Sequence, residues 1–229
     1  MVTATDSALA SGTCGLRAGL ATGVTITYTS FLCTIPAPSP GTTLAQDTFH
    51  RANQALWGTA SDGLVWGGEP NSNSSFSINN NAGQVANGTG PHDAVLGPAT
   101  GNAEILFTGS ASTFSGANIG AVLRWMDTNN WYKAYLDGAS LVLQKKVNGT
   151  TTTIASVAFT ATAGASYNIR FRAVGTTLTV KAWAAGTTEP TAWTITAADS
   201  TFTTGNCGLR MQLATGVVVT YTSFRATYQ

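Results

Sequence analysis

Residues 123–149 read LRWMDTNNWYKAYLDGASLVLQKKVNG and decide the fold. Turn-forming residues at Asp127–Asn130 and Asp137-Gly138 separate three β-rich runs, and Asn148-Gly149 ends the third run. Asp-Gly and Asn-Gly between β-rich runs are strong hairpin signals. The stretch therefore predicts three neighbouring antiparallel strands: Ile119–Met126, Trp131–Leu136 and Leu141–Val147.

Strand patterns continue outside this stretch, and no convincing helical pattern occurs. Tyr167–Arg172 alternates apolar with polar or basic side chains, which is the period of a strand with one buried face. Further strands are predicted over Glu104–Thr108, Ile154–Phe159 and Leu178–Trp183, whereas residues 71–90 suit either a long loop or a short meander. Two sheets packed face to face bury such strands, so the fold class is an all-β, two-sheet antiparallel sandwich.

Composition restricts the possible partners. Charged side chains make up 9% of the 229 residues, against about 25% in ordinary soluble domains. The formal net charge of +1 creates no field that would attract nucleic acid or an anionic membrane. No apolar run is long enough for membrane insertion. A weakly charged surface rich in Thr, Ser, Ala, Gly and Asn predicts an extracellular or cell-surface protein.

One segment of the chain occurs twice. Residues 1–34 align without a gap to residues 194–227, and about twenty of the positions are identical, including a Cys-Gly-Leu-Arg run. The C-terminal copy closes the domain. The N-terminal copy is predicted to form a β-hairpin arm, with strands Cys14–Ala21 and Thr25–Cys33 joined by an Ala-Thr-Gly turn.

A proline-rich stretch separates the arm from the rest of the chain. Residues 35–45 read IPAPSPGTTLA, and their prolines lack backbone donors and favour an extended conformation. The sequence therefore divides into an arm at residues 1–34, a Pro-rich linker at 35–45 and a domain at 46–229.

The arm must find a sheet, because two strands alone bury too little apolar surface to be stable in water. Three arrangements remain open: the arm is the remnant of a preceding module in a tandem array, folds back on its own domain, or pairs with a neighbouring molecule. Its alternating apolar side chains are the predicted assembly residues: Leu16, Leu20, Val24, Ile26, Tyr28 and Phe31.

The three cysteines make an odd count. Folding the predicted arm hairpin brings Cys14 opposite Cys33, which predicts a cross-strand disulfide; three reduced core cysteines are the alternative. The C-terminal counterpart of Cys33 is Ala226. Cys207 is therefore predicted to be free and buried.

The sequence also resembles concanavalin A-like (laminin-G-type) jelly-roll modules of bacterial and phage extracellular proteins. The resemblance rests on residues 123–155, on YNIRFRAVGTTLTVKAWAAG at 167–186, on the ending from Trp193 to Phe224 and on the opening 47–52. It spans about residues 46–229 and implies a jelly roll whose first and last strands lie side by side. It implies no single function, because this fold hosts lectins, glycosidases, adhesion modules and structural repeats.

The sequence lacks the catalytic pattern of this fold. Retaining glucanases of the fold carry a Glu-x-Asp-x-x-Glu strand motif, whereas none of the ten acidic residues here lies two or three positions from another. His50 and His92 stand alone and offer neither metal-ligand spacing nor a partner for a nucleophilic serine. The chain is therefore predicted not to be an enzyme and to carry no cofactor.

One strand offers a face for a ligand. Alternation places Trp131, Lys133 and Tyr135 on one face of their strand, opposite a set of core residues. Trp131 and Tyr135, together with Asp127 and Asn130 of the adjacent turn, are the candidate glycan-binding residues. The alternative is that the two rings pack under a neighbouring loop or against the arm.

The other polar features have competing interpretations. A calcium ion held by Asp127 with Asn129 or Asn130 competes with a turn that these side chains stabilise without an ion. The sequence matches for N-glycosylation are Asn73, Asn87 and Asn148. A solvated basic face is predicted for Lys145, Lys146, Arg170 and Arg172. Core positions are predicted for Trp57, Trp66, Trp125 and Trp193, and an outward position for Trp183.

Two functions follow from these features. The first is a non-catalytic extracellular structural protein that assembles head-to-tail into a surface filament or fibre through its N-terminal strand arm, with other copies of itself as partners. The alternative is a lectin-like carbohydrate-binding or adhesion module from a tandem array or phage fibre, with glycans as partners.

Overall fold

The computed structural model describes residues 38–229, together with Gly19, residues 21–23 and residues 25–27. The chain divides into two compact units, residues 1–38 and residues 39–229. In the first unit, residues 22–23 form the predicted turn. Residues 25–27 belong to no strand and Ile26 is exposed, so the predicted strand Thr25–Cys33 does not include them. The other arm predictions lie outside the described residues: Leu16, Leu20, Val24, Tyr28, Phe31 and the Cys14–Cys33 disulfide.

The second unit consists of β-strands, and no helix occurs among the described residues. In chain order the strands are β1 (Thr43–Asp47), β2 (Gln54–Ala55), β3 (Gly67–Gly68), β4 (Phe76–Asn79), β5 (Ala82–Val85), β6 (Gly90–Val95), β7 (Ala103–Ala111), β8 (Ile119–Asp127), β9 (Asn130–Leu136), β10 (Ser140–Val147), β11 (Thr150–Ala158), β12 (Tyr167–Val174), β13 (Thr177–Ala184), β14 (Ile195–Ala198), β15 (Asn206–Leu213) and β16 (Val219–Tyr228). Every strand predicted between residues 104 and 183 is present.

The strands form two antiparallel sheets. The larger, nine-stranded sheet has the order β14-β13-β12-β7-β16-β5-β4-β2, with β1 also paired to β16. The smaller, seven-stranded sheet has the order β11-β10-β9-β8-β15-β6-β3. The predicted all-β, two-sheet sandwich is therefore confirmed.

Tight turns set the register of two hairpins. Val147 pairs with Thr150 across Asn148 and Gly149, whose φ angles of 47° and 85° are both positive, as in the two-residue turns that suit twisted hairpins. Asn80 and Asn81 make the same kind of turn between β4 and β5, with φ angles of 51° and 59°. The stretch 71–90 is therefore a loop followed by a short hairpin.

The two sheets enclose one apolar core. In β12 the predicted alternation holds, because Ile169 and Phe171 are fully buried while Arg170 is half-buried on the outer face. Tyr132 and Leu136 of β9 enter the same core from the other sheet. Trp57 and Trp66 also belong to it, as predicted.

Two predicted core tryptophans lie elsewhere. Trp125 is half-buried and lies outside the core cluster. Trp193 lies on the outer face of the larger sheet, where its ring is 4.7 Å from the guanidinium carbon of Arg172 and 4.9 Å from Nζ of Lys181. The tryptophan ring makes cation–π contacts with both cations instead of entering the core. Trp183 is buried.

The predicted basic face does not exist as one surface. Arg170 and Arg172 lie on β12 of the larger sheet, whereas Lys145 and Lys146 lie on β10 of the smaller one. The alternation of side chains along one strand shows which residues share a face, but it does not show which sheet the strand joins.

The domain begins earlier than predicted. β1 pairs with β16, placing Ala45 opposite Ala226, and Ala45 is buried in the core. The amide of Gly41 donates a 2.8 Å hydrogen bond to the carbonyl oxygen of Tyr228. Residues 39–45, assigned to the linker from their sequence, therefore belong to the domain. The first and last strands lie side by side, as the resemblance implied.

The buried carboxylate of Asp47 organises the start of the domain. Its oxygens accept hydrogen bonds from the amide of Phe49 at 2.8 Å, from Nε1 of Trp66 at 2.8 Å and from Arg51, which also forms an ion pair with it. Phe49 has a φ of 53° and packs edge-on against Trp57. These bonds compensate for removing the carboxylate from water.

The strands of the C-terminal copy do not pair with each other. β15 is a central strand of the smaller sheet and β16 a central strand of the larger one. The segment is therefore an arch between sheets, not the hairpin expected from its N-terminal counterpart. Cys207 of β15 is a free, buried thiol, as predicted, and burial raises its pKa to about 12. Ala226, the counterpart of Cys33, lies in the opposite sheet.

Arg124 holds three loops together from a bulge in β8. Its guanidinium donates to the carbonyl oxygens of Gly101 at 2.9 Å, Phe202 at 2.6 Å and Gly175 at 2.6 Å. Arg124 itself is buried, and burial lowers its pKa.

The loop after β14 approaches the backbone of Arg124 closely. A Cβ at Gly205 would come within 2.4 Å of the Arg124 carbonyl carbon, so the loop must have a glycine at this position.

We expect Arg124→Met to lower the free energy of unfolding by about 3 kcal/mol, because it leaves three inward-facing carbonyl oxygens without their donor. Urea denaturation followed by tryptophan fluorescence measures the loss. Arg225→Met is the matched control, since Arg225 is exposed on β16. Equal losses in the two variants would contradict the role assigned to Arg124.

Candidate functional site

The outer face of β9 carries the predicted set of alternating side chains. Tyr132, Ala134 and Leu136 point into the core and are fully buried. Trp131, Lys133 and Tyr135 lie on the opposite face, where they line one cavity.

This cavity has a volume of about 260 Å³ and lies on the outer face of the smaller sheet. Register explains its composition: in β10, Gln144 pairs with Lys133 and Lys146 pairs with Trp131, so all four side chains share a face. Arg210 and Gln212 reach the same face from β15. The full lining is Pro91, Asn118, Trp131, Lys133, Tyr135, Gln144, Lys146, Thr151, Arg210 and Gln212.

Trp131 forms the floor of the cavity instead of an exposed platform. It is 3% exposed, because the guanidinium of Arg210 lies 4.8 Å from its ring centre. Arg210 is fixed in turn by an ion pair with the buried carboxylate of Asp93 on β6. Trp131 Nε1 donates to the carbonyl oxygen of Thr128 at 3.2 Å. A side chain of β15, which lies beyond β8 in the same sheet, therefore covers the ring, whereas the alternative expectation was a loop or the arm.

Lys133 is a buried amine at the centre of the lining. It is 5% exposed, its Nζ donates a 2.7 Å hydrogen bond to Oδ1 of Asn118, and Nζ lies 4.6 Å from the ring centre of Tyr135. Burial and, to a lesser extent, the nearby Arg210 cation lower its pKa to about 7, and the Asp93 carboxylate partly opposes them. The amine therefore changes charge near neutral pH.

Tyr135 supplies the accessible aromatic ring. It is half-buried, and its hydroxyl accepts a 2.9 Å hydrogen bond from Nε2 of Gln144. Burial raises the pKa of Tyr135, and the Asp137 carboxylate raises it further. The hydroxyl therefore stays protonated at neutral pH and remains a donor as well as an acceptor.

The turn residues of the predicted patch lie apart from this cavity. Asn130 lines a second cavity of about 450 Å³, which includes Met126, Val147 and Phe202. The Asp127 carboxylate accepts hydrogen bonds from the amide of Asn129 at 2.7 Å and from Nδ2 of Asn130. The structure thus separates the four predicted glycan-binding residues: Trp131 and Tyr135 line one cavity, and Asn130 lines the other.

The residues predicted to hold calcium, Asp127 with Asn129 or Asn130, form a turn that is closed by their own hydrogen bonds. The Asp127 oxygens already accept amide donors, and these hydrogen bonds hold the pKa of the carboxyl below its usual range. Calcium normally takes six to eight oxygen ligands. Among the described residues, no group of three or more His, Cys, Asp or Glu side chains is placed to hold a metal ion. Calcium binding remains a prediction.

The three glycosylation matches differ in accessibility. Asn73 is half-buried, and its Nδ2, the atom that would carry a glycan, donates a 2.7 Å hydrogen bond to Glu69. Asn87 and Asn148 are exposed in turns with positive φ. Only the latter two have the accessibility that modification needs.

Sequence reasoning missed most of the first cavity. The Asp137-Gly138 turn could have paired β9 with β10 and so placed Gln144 and Lys146 beside Lys133. No local signal could have added Arg210, because β15 joins β8 and β6 from far along the chain.

Comparisons with solved structures agree with this architecture. The domain superposes on a carbohydrate-binding module, CBM66, from Bacillus subtilis with a TM-score of 0.56 and 17% identity, covering 68% of this chain and 91% of that one. The chain has the concanavalin A-like jelly-roll fold. The chain also superposes on the CBM2 module of the evolved Dit protein of Lactobacillus casei BL23 phage J-1, with a TM-score of 0.53 and 11% identity, covering 82% of this chain and 96% of that one.

A further neighbour is a xylan β-1,4-xylosidase from Bacillus halodurans C-125, with a TM-score of 0.59 and 14% identity. The match covers 86% of this chain but 41% of the xylosidase chain. No protein-family model and no curated protein matches the sequence. The described part of the chain contains no helix that is long and apolar enough to cross a membrane. At these identities the likeness defines the fold.

We expect the charge of Lys133 to impose a measurable pH dependence on stability. Its pKa is about 7 in the folded protein and 10.5 in the unfolded reference. Between these values the unfolded chain binds more protons, so the free energy of unfolding rises with pH, by at most about 1.4 kcal/mol per pH unit. Below pH 7 the cost of the buried charge is fully present.

Lys133→Met removes this titration and should flatten the rise. Urea denaturation of both proteins between pH 6 and pH 10 gives the difference in unfolding free energy, which should shift steadily in favour of the parent above pH 7. Parallel curves for the two proteins would show that the amine is not desolvated.

Proposed function

We propose that the domain is a non-catalytic carbohydrate-binding module whose site is the 260 Å³ cavity on the outer face of the smaller sheet. The observation that carries the proposal is the lining itself. It combines a half-buried tyrosine ring with amide groups from Asn118, Gln144 and Gln212 and with basic donors. Sugars bind to such mixtures of aromatic faces and directional polar groups.

The state of the carboxylates supports a non-catalytic role. Glycosidases position a pair of carboxyl groups beside the bond that they cleave. Here Asp93 is bound to Arg210, Glu104 to Arg170, and Asp199 to Lys145. Burial raises the pKa of Asp199, but hydrogen bonds from Lys145, Thr201 and Tyr132 outweigh burial and hold it below the usual range. These carboxylates serve as structural ion pairs.

We also propose that the domain is located outside the cell. The solved neighbours include carbohydrate-binding modules of a bacterium and of a phage protein. The weakly charged surface, with 9% charged residues, supports the same assignment.

Glycan-array screening followed by calorimetry tests the proposal. We expect Tyr135→Ala and Gln144→Ala each to weaken binding of the selected glycan about tenfold, because each removes a polar or aromatic contact in the cavity. Met126→Ser is the matched control, since Met126 is 58% exposed and lines the second cavity. If only the Met126 variant lost affinity, the site would be the second cavity and the assignment would be wrong.

A second candidate function is assembly through the duplicated segment, and one observation favours it. At the constant offset between the copies, all six assembly residues of the arm correspond to buried residues of the C-terminal segment. These buried counterparts are Leu209, Leu213, Val217, Val219, Tyr221 and Phe224. Residues 1–34 thus have the side chains needed to fill the core positions of β15 and β16 in another copy of the domain.

Deleting residues 1–38 tests this candidate. The cut spares Gly41 and β1, whose bonds to β16 belong to the domain, so the truncated chain should fold as a monomer. We expect the full chain to form head-to-tail oligomers in light scattering and electron micrographs, and the truncated chain to form none. Identical mass distributions for the two chains would refute assembly through the arm.

A further inference from the structure

The cavity of the proposed glycan site is strongly one-sided in charge. Among the described residues that line it, Lys133, Lys146 and Arg210 are cationic and none is acidic. The Asp93 carboxylate near Lys133 is 3% exposed and bound to Arg210, so it lies behind the lining, and Asp127, which interacts with Lys146, lies outside the cavity. The remaining lining groups are amides, a hydroxyl, two aromatic rings and a proline.

Two of these cations are incompletely compensated. Nζ of Lys133 donates to Oδ1 of Asn118. The same oxygen accepts a 3.1 Å hydrogen bond from the backbone amide of Gln212, and both partners are neutral. Nζ of Lys146 donates to a backbone carbonyl, that of Thr128, at 3.2 Å. An anion in the cavity would give both amines a charge-assisted hydrogen-bond partner.

We propose that the saccharide bound in this cavity is acidic, with a carboxylate or sulfate group held between Lys133 and Lys146. The inference rests on the proposed function, because it names the class of ligand for the same site. A neutral sugar would leave the protonated Lys133 amine in a desolvated position without a counter-charge, whereas an oxyanion supplies one.

Binding of an acidic sugar should also take up a proton. Lys133 faces Arg210 on β15, Asp93 on β6, Tyr135 on its own strand and Lys146 on β10. Without ligand, burial and the neighbouring cation favour the neutral amine near and above pH 7. An oxyanion beside Nζ favours the protonated form, so the affinity should fall by up to about tenfold per pH unit above pH 7.

Trigalacturonate and its methyl ester provide a matched test, since the ester keeps the sugar chain and neutralises its carboxylates. We expect trigalacturonate, or alternatively a sulfated oligosaccharide compared with its desulfated form, to bind at least about tenfold more tightly than its neutral partner. Whichever anion shows the preference identifies the source of the charge. Calorimetry at pH 8 in two buffers of different ionisation enthalpy measures the proton uptake.

Lys133→Met should abolish the proton uptake and most of the preference for the acidic sugar. This variant should fold, because it removes a buried charge and leaves Asn118 bonded to Gln212. Lys146→Met should reduce the preference while retaining proton uptake. Arg225→Met, which removes an exposed cation from the opposite sheet, should change neither quantity.

The outcomes separate this inference from the function on which it rests. Equal or tighter binding of the neutral sugars, lost in Tyr135→Ala, would overturn the acidic ligand and leave the carbohydrate-binding function intact. Acid preference that Arg225→Met reduces as much as Lys133→Met would also overturn it, because the attraction would then be non-specific. No saccharide binding at this cavity would refute both proposals.

Discussion

The sandwich depends on the insertion of its last two strands into the centres of both sheets. β15 lies between β8 and β6, and β16 lies between β7 and the strands β5 and β1. Because consecutive strands join opposite sheets, residues 206–228 provide contacts that neither sheet can replace. The contacts that close the domain are therefore non-local, the kind of pairing that slows folding.

The same insertion assembles the candidate site. β15 carries buried Leu209 and Met211 on its inner face and Arg210 on its outer face. Arg210 then joins Asp93 of β6 to the Trp131 ring of β9, three strands that are remote in sequence. The floor of the cavity is therefore a product of sheet closure, and its rigidity derives from the core beneath it. A loss of β15 packing would remove the site together with the fold.

Local chemistry explains which features the sequence could predict. Asn148-Gly149 and the alternation of Tyr167–Arg172 are properties of neighbouring residues, and both were predicted correctly. The position of Trp193 on the outer face and the covering of Trp131 by Arg210 depend on partners from distant strands. The alternation of side chains identified the outer face of β9, but it could not identify which other strand contributes the side chain that covers this face.

An arginine that occurs in both copies of the duplicated segment, Arg17 and Arg210, connects the proposed glycan binding with the proposed assembly. A copy that served only to fill a core would need the inward-facing side chains, yet the identical run also includes Arg17, the counterpart of Arg210. Arg210 lines the outer-face cavity and is not part of the apolar core. Where the arm takes the place of the recipient's own β15, Arg17 would occupy the position of Arg210, paired with Asp93 of the recipient and covering its Trp131. Assembly of that kind would rebuild the recipient's cavity floor together with its sheets, because the outer and inner faces of β15 cannot be exchanged separately.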